Sequence, residues 1–392
     1  MGKIETVQKK LREKEVDGWL LYEFHGVNPL ALNFLEIPEG LLLTRRCFYW
    51  IPANGTPLKI VHQIEAQNLD HLPGEKKIYG DWTLLHEHLR QLLKEKSKVA
   101  MEYSPMQAIP TISKVDGGLI DLIRSFGPKI VSSAPFLQEF TSVWTFHQYE
   151  LHKEAAGVLE GAVTHVWNHI RLCLEKGKEV TEYDIQQMIL REFKANHCVT
   201  EGDPICGVNA NAADPHYVPT KDNSTPIKKG DLILIDLWCK KNVEGAVFAD
   251  ITRMGVAAFE PTPKQAEVFS VVRKAQKTGT DWIAAEHKAG REIPGYKVDN
   301  LVRKVIEESG YGKYFTHRTG HNIDRENHGP GSNIDGLETQ DDRPLIPNTC
   351  FSIEPGIYLP GEFGVRLEYD IFMHEGGEIE VTVPPQDAFM VF

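Results

Sequence analysis

Four acids of this chain stand among apolar neighbours, and three histidines crowd one short segment. Asp236 lies in GDLILIDLW, Asp250 in GAVFADITRMG, Glu354 in FSIEPGIY and Glu368 in GVRLEYD. His317, His321 and His328 fall within 12 positions of THRTGHNIDRENH. A carboxylate inside an apolar strand costs several kcal/mol, in order of magnitude, unless it is paired or bound to a metal. Two such acids on facing strands repel each other, and a cation between them removes the repulsion. Four carboxylates balance two divalent ions, and His321 adds one nitrogen ligand. Oxygen-rich ligation with a single imidazole suits Mn²⁺, Zn²⁺, Co²⁺ or Fe²⁺, with manganese placed first. Two such ions about 3.5–4 Å apart activate a water and polarise a carbonyl.

Each residue alone has a plainer reading. Asp236 fits a hairpin acid paired with an arginine, and Glu354 a surface residue at a strand end. Arg366 fits a neutraliser of Glu368, and His216, in NAADPHYVP, a turn residue between prolines. The combination is what points to metal chemistry.

The elements that must position these residues fall into two stretches. Residues 1–149 read as a small α/β domain. VQKKLREKE opens it as a helix, and GWLLYEF and GLLLTRRCFYW follow as strands. Helix Leu84–Lys96, strand Lys98–Tyr103, helix GLIDLIRSFG and strand PKIVSS complete an alternation that implies a sheet with helices over it. Residues 150–392 read as a second, α+β domain. A long helix runs from Glu150 to about Lys176, and Thr181 caps the next, with Asp184 three residues on. GDLILIDLW and GAVFADITRMG form a hairpin across NVEG, with Asp250 matched to Asp236. Two further helices precede THRTGHNI, TCFSIEPGIYL and GVRLEYDIFMHE, each read as one extended segment. Alternation places Arg366, Glu368 and Asp370 on one face. Gly320 and the β-branched Thr316 and Thr319 favour an extended segment around His321 over a helix.

Composition narrows the class. A chain of 392 residues with 41% hydrophobic and 25% charged side chains has the make-up of a folded protein with a sizeable core. A formal charge of -12 argues against nucleic acid or an anionic membrane as partner. Six scattered cysteines form no CxxC pair, which fits a reducing cytoplasm better than a disulfide scaffold.

Taken together, DLW…FADITR, HRTGH…H, FSIEPGIY and GVRLE resemble the creatinase and aminopeptidase P family of pita-bread proteins, weakly before Pro204 and strongly after it. The resemblance implies a C-terminal pita-bread catalytic domain behind a smaller creatinase-like N-terminal domain. It implies five ligands for two ions: Asp236 to one, Asp250 and Glu368 bridging, and His321 and Glu354 to the other. It assigns catalytic parts to Glu354, His328, His216, His317 and Arg366, with His317 on the leaving side of the scissile bond. The implied reaction is attack by a bridging hydroxide on the bond between an N-terminal residue and a following proline. X-Pro aminopeptidase activity is the first expectation and X-Pro dipeptidase activity the alternative. A non-catalytic binding protein on this fold is expected to have lost ligands, and all five are present. A short peptide with proline second is the implied partner, and a homodimer the implied assembly. Two features depart from the pattern. Asp236-Leu237-Trp238 stands where relatives often carry Asp-x-Gly, and the hairpin aspartates are 14 residues apart, further than in many relatives.

Overall fold

A computed structural model describes residues 2–38 and 40–392. The chain forms two compact units, the first ending at Thr141 and the second starting at Ser142, ahead of the junction read at 149.

The first unit runs α1 (Lys3–Glu13), β1 (Gly18–Glu23), α2 (Pro29–Phe34), β2 (Cys47–Pro52), β3 (Leu58–His62), β4 (Glu75–Tyr79), α3 (Trp82–Leu93), β5 (Lys98–Met101), α4 (Gly117–Ser125), β6 (Lys129–Ser132) and α5 (Ala134–Thr141). Its strands form one sheet in the order β4-β3-β2-β1-β5-β6. β1 is buried throughout, with Trp19 and Leu21 in one apolar cluster and Leu20 and Tyr22 in another. Such two-sided burial explains its uninterrupted apolar run. GLLLTRRCFYW becomes a strand only from Cys47; before it Leu43 is buried from an irregular segment and Leu42 is exposed.

The second unit opens with α6 (Phe146–Glu175), held at its start by a capping box of Thr145 and Gln148. A second box, Thr181 with Asp184, starts α7 (Glu182–Ala195). Then come β7 (Cys198–Val199), β8 (Ile205–Val208), β9 (Leu232–Lys241), β10 (Ala249–Val256), α8 (Pro263–Lys288) and α9 (Gly295–Glu308). The chain ends with β11 (Asn322–Ile323), β12 (Cys350–Ile353), β13 (Gly356–Leu359), β14 (Phe363–Arg366), β15 (Tyr369–Met373), β16 (Ile379–Val381) and β17 (Met390–Val391). β9 is flanked by β10 and β8, and α6 packs on β9 and β10. α8 packs against β12, β13, β14 and β16.

Two readings of this region need correction. TCFSIEPGIYL and GVRLEYDIFMHE are not single strands. Each breaks in the middle, at Glu354-Pro355 and at Leu367-Glu368. The breaks face each other: Ile353 pairs with Tyr369 on one side and Gly356 with Arg366 on the other. Proline supplies no N–H to continue the first ladder. Buried Gln276 on α8 spans the gap, donating to the carbonyls of Ile353 and Leu367 at 2.9 Å each. Both glutamates therefore sit at corners between sheets rather than within strands, and Arg366 and Asp370 belong to different strands.

The hairpin is the second correction. Asp236 pairs with Thr252, and Asp250 with Trp238. The chain reverses through residues 242–248, with Gly245 at φ +77°, so the register lies two residues away from the expected match. Both aspartates still share a face, as diagonal neighbours. All six cysteines are buried thiols. Among the described residues, no helix is long and apolar enough to cross a membrane.

Candidate metal centre

All five expected ligands face one region of the second unit. Asp250, His321 and Glu368 bring one ligand atom each within 4.8 Å of one another. Glu354 joins through His321, its Oε1 3.3 Å from Nε2. Asp236 lines the same cavity. Its Oδ2 meets Nη2 of Arg366, the arginine pairing its plainer reading allowed, whereas Arg366 had been matched to Glu368. Asp236, Asp250, His321, Arg366 and Glu368 are each 7% exposed or less, so water screens their charges little.

His321 is brought here by an extended segment that needs Gly320. A β-carbon at that position would stand 2.0 Å from the carbonyl oxygen of Ser352. The Ser352 hydroxyl accepts from the His321 N–H at 3.0 Å and donates to Glu354 Oε1 at 3.2 Å. The Nδ1 of His321 faces the Asn322 carbonyl at 3.3 Å and donates there. Nε2 is left as the lone-pair nitrogen, 3.8 Å from Asp250 Oδ2 and 3.3 Å from Glu354 Oε1. Burial, and then His328, hold the ring well below the usual imidazole range, so it is neutral.

A neutral nitrogen facing two carboxylates makes three acceptors with no donor among them. Burial raises Asp250 and Glu368 well above ordinary carboxyl values; repulsion from Asp236 adds to it at Asp250, and repulsion from Asp250 at Glu368. Burial raises Glu354 to about 7. Asp250 Oδ1 is buried and takes no hydrogen bond. These residues fit a divalent cation: carboxyl oxygens that ionise against it, one imidazole of ligating tautomer, and an orphaned acceptor.

Several positioning groups escaped the sequence reading. Thr252 donates to Glu368 Oε2 at 2.6 Å and accepts from Arg366 Nε at 2.9 Å. Asn327 donates to Asp250 Oδ2 at 2.8 Å. Asp370 accepts from the Asp250 backbone N–H at 2.8 Å. It also forms a deeper group with His152 and Cys350. There both His152 nitrogens are engaged, by the Phe248 carbonyl and the Thr382 hydroxyl.

The cavity over the cluster measures about 360 Å³, and His216 and His328 line it. His328 stacks edge-on against His321 at 4.2 Å, and burial followed by Arg318 lowers it to about 4. His317 does not line the cavity. Its Nε2 meets the Tyr358 hydroxyl and its Nδ1 the Arg318 carbonyl, at 2.7 Å each. Trp238, whose place the sequence left open, forms part of the cavity wall.

Residues 150–375 match the model of metallopeptidase family M24. The chain belongs to this family. It is 35% identical over 213 residues to an Xaa-Pro dipeptidase of Lactobacillus delbrueckii subsp. lactis, covering 52% of this chain and 53% of that one. It is 36% identical over 191 residues to an Xaa-Pro dipeptidase of Lactobacillus helveticus, covering 48% and 47%. The chain thus spans about half the length of these relatives. A prolidase structure from Thermococcus sibiricus superposes with a TM-score of 0.66 at 22% identity, over 100% of this chain and 98% of that one. That likeness shows the fold, the pita-bread arrangement expected from the motifs. Membership also makes divalent metal ions part of the chemistry expected of the acid cluster.

Proposed function

We propose that the chain is a metal-dependent exopeptidase hydrolysing the bond between an N-terminal residue and a following proline. The observation that carries this is the Asp250–His321–Glu368 cluster, opening with Glu354, His216 and His328 into one small cavity. A space of about 360 Å³ suits the end of a short peptide better than the middle of a long one. The relatives named Xaa-Pro dipeptidase support the substrate class.

Asp236, Asp250, His321, Glu354 and Glu368 would hold two divalent ions, and we assign manganese because the set is rich in oxygen with one imidazole. When bound, such ions supply the positive charge that activates water and polarises a carbonyl. The chain's residues supply the rest. Glu354, which lines the cavity beside His321, takes a proton from water and returns it to the leaving nitrogen. His328 is neutral near pH 7 and offers an N–H to the carbonyl oxygen as charge develops there. His216 lines the cavity and orients the peptide.

Arg366 is a positioning residue. Its Nη2 is held by Asp236 and its Nε donates to Thr252, so it steadies two sides of the cluster. This bonding leaves it poorly placed to grip a substrate carboxylate. His317 acts one step further back: it holds Tyr358, whose hydroxyl lies 3.4 Å from Arg366 Nη1. Proline's amide nitrogen carries no hydrogen, so a pocket shaped for its ring needs no acceptor at that place. We also take the working form to be a homodimer, which light scattering tests directly.

The test is metal-stripped protein reloaded with Mn²⁺, Zn²⁺, Co²⁺ or Fe²⁺ and given X-Pro dipeptides, X-Pro-Y peptides and their N-acetylated forms. Release of the first residue from unblocked peptides alone supports the proposal. Cleavage confined to dipeptides selects the dipeptidase reading, which the named relatives favour. No release with any ion rejects both.

A further inference from the structure

The cavity carries a wall that the proposed chemistry does not use. Glu201, Trp238, Glu326 and Asn327 all line it. Glu201, Trp238 and Asn327 are joined to one another and to the cluster. Trp238 stands opposite Asp250 in the β9–β10 ladder, and its indole Nε1 donates to the Glu201 carbonyl at 3.1 Å. Glu201 Oε2 accepts from the Asn327 backbone N–H at 3.2 Å. The Asn327 side chain returns to Asp250 Oδ2 at 2.8 Å.

Three features of this wall ask for a cation with hydrogen-bond donors. Asn327 is only 9% exposed, and its Oδ1 is buried without a partner. Its Nδ2 is committed to Asp250, so the orphaned atom is an acceptor. Glu201 and Glu326 bring two exposed carboxylates to the same space. Among the described residues, the only cation within 4.0 Å of either is Lys240, 3.9 Å from Glu201, and its Nζ also donates to the Arg325 carbonyl. Trp238 adds a half-buried aromatic face, on which a planar guanidinium stacks well. An aliphatic side chain placed here would leave the Asn327 acceptor unpaired.

We propose that this wall receives the side chain of the substrate's first residue and selects a cationic one, arginine above lysine. The inference rests on the exopeptidase reading. The wall is tied to Asp250 through Asn327 and lines the same cavity as the cluster, so a first residue bound over the cluster would turn its side chain against it. Trp238 is then a specificity residue of this chain.

The experiment compares kcat/KM of the manganese-loaded protein for Arg-Pro, Lys-Pro, citrulline-Pro and Leu-Pro, and for the same series extended by alanine. Arginine is expected to exceed leucine by about tenfold or more, with uncharged citrulline between them. In the double variant Glu201→Gln, Glu326→Gln the arginine-to-leucine ratio falls toward one, and in Asn327→Val it falls as well. A wild-type ratio near one, or one unmoved by the double variant, overturns the proposal. If no X-Pro substrate is cleaved, the exopeptidase reading fails instead. The wall is then judged by calorimetric binding of arginine amide against leucine amide to the manganese-loaded protein. A preference of about tenfold for arginine amide upholds it, and equal affinity overturns it.

Discussion

His321 is fit to ligate because its other nitrogen is already engaged. With Nδ1 donating to the Asn322 carbonyl, Nε2 carries a lone pair toward Asp250 and Glu354. The same logic governs Glu368, whose Oε2 is turned by the Thr252 hydroxyl, itself held by Arg366. Removing that hydroxyl in Thr252→Val should weaken metal affinity by roughly 10–100-fold, the usual scale for a group that orients a ligand. A chelator-competition titration measures it, and unchanged affinity would show that Thr252 does not orient Glu368. The acids that carry the site were legible because charge in an apolar strand is conspicuous. Thr252 and Asn327 were not, since threonine in a strand and asparagine in a loop are ordinary there. Only the folded register shows that each bonds a candidate ligand.

At the scale of elements, the site depends on two strand runs breaking at the same place. Sequence alternation continues through Glu354 and Glu368, so each run reads as one strand. The break shows only once Gln276, far away on α8, is seen satisfying the carbonyls at the gap. The helix capped by Thr181 and Asp184 was easier, because that box is a local signal; the Thr145–Gln148 box went unread, and α6 starts at Phe146 rather than Glu150. The hairpin's existence was local too, but its register depended on how many residues the turn consumes. Gln276→Leu should leave two buried carbonyls without donors, at a cost on the order of 1–3 kcal/mol each. Urea unfolding of the metal-free protein measures that loss. Metal affinity should fall with it although Gln276 touches no candidate ligand. Gly320→Ala tests the same region from the other side. Its methyl group would meet the Ser352 carbonyl oxygen, and a loss of about 1–3 kcal/mol is expected in the same assay. An alanine variant as stable as the parent would mean that the His321 segment has room to move.

For the molecule as a whole, the cluster makes the stability of the metal-free chain depend on pH. Burial raises Glu354 from 4.5 to about 7 and Asp370 from 3.8 to about 8, with Asp250 and Glu368 raised as well. A carboxyl whose folded value is raised binds more protons folded than unfolded, so its contribution falls as pH climbs toward the folded value. The imidazoles with lowered values act in the opposite sense. His317 is lowered to about 3 and His328 to about 4, so each contribution grows with pH until the unfolded value of 6.5 is passed. Below 6.5 the two effects oppose each other; between about 6.5 and 8 the acids act without the imidazoles. In that window the melting temperature of stripped protein should fall with rising pH. Manganese should reverse the trend, because a bound cation stabilises the ionised carboxylates and protons compete with it less as pH rises. The difference in melting temperature between loaded and stripped protein should therefore widen from pH 6.5 to 8. A constant difference would mean that the buried acids are not what the metal compensates.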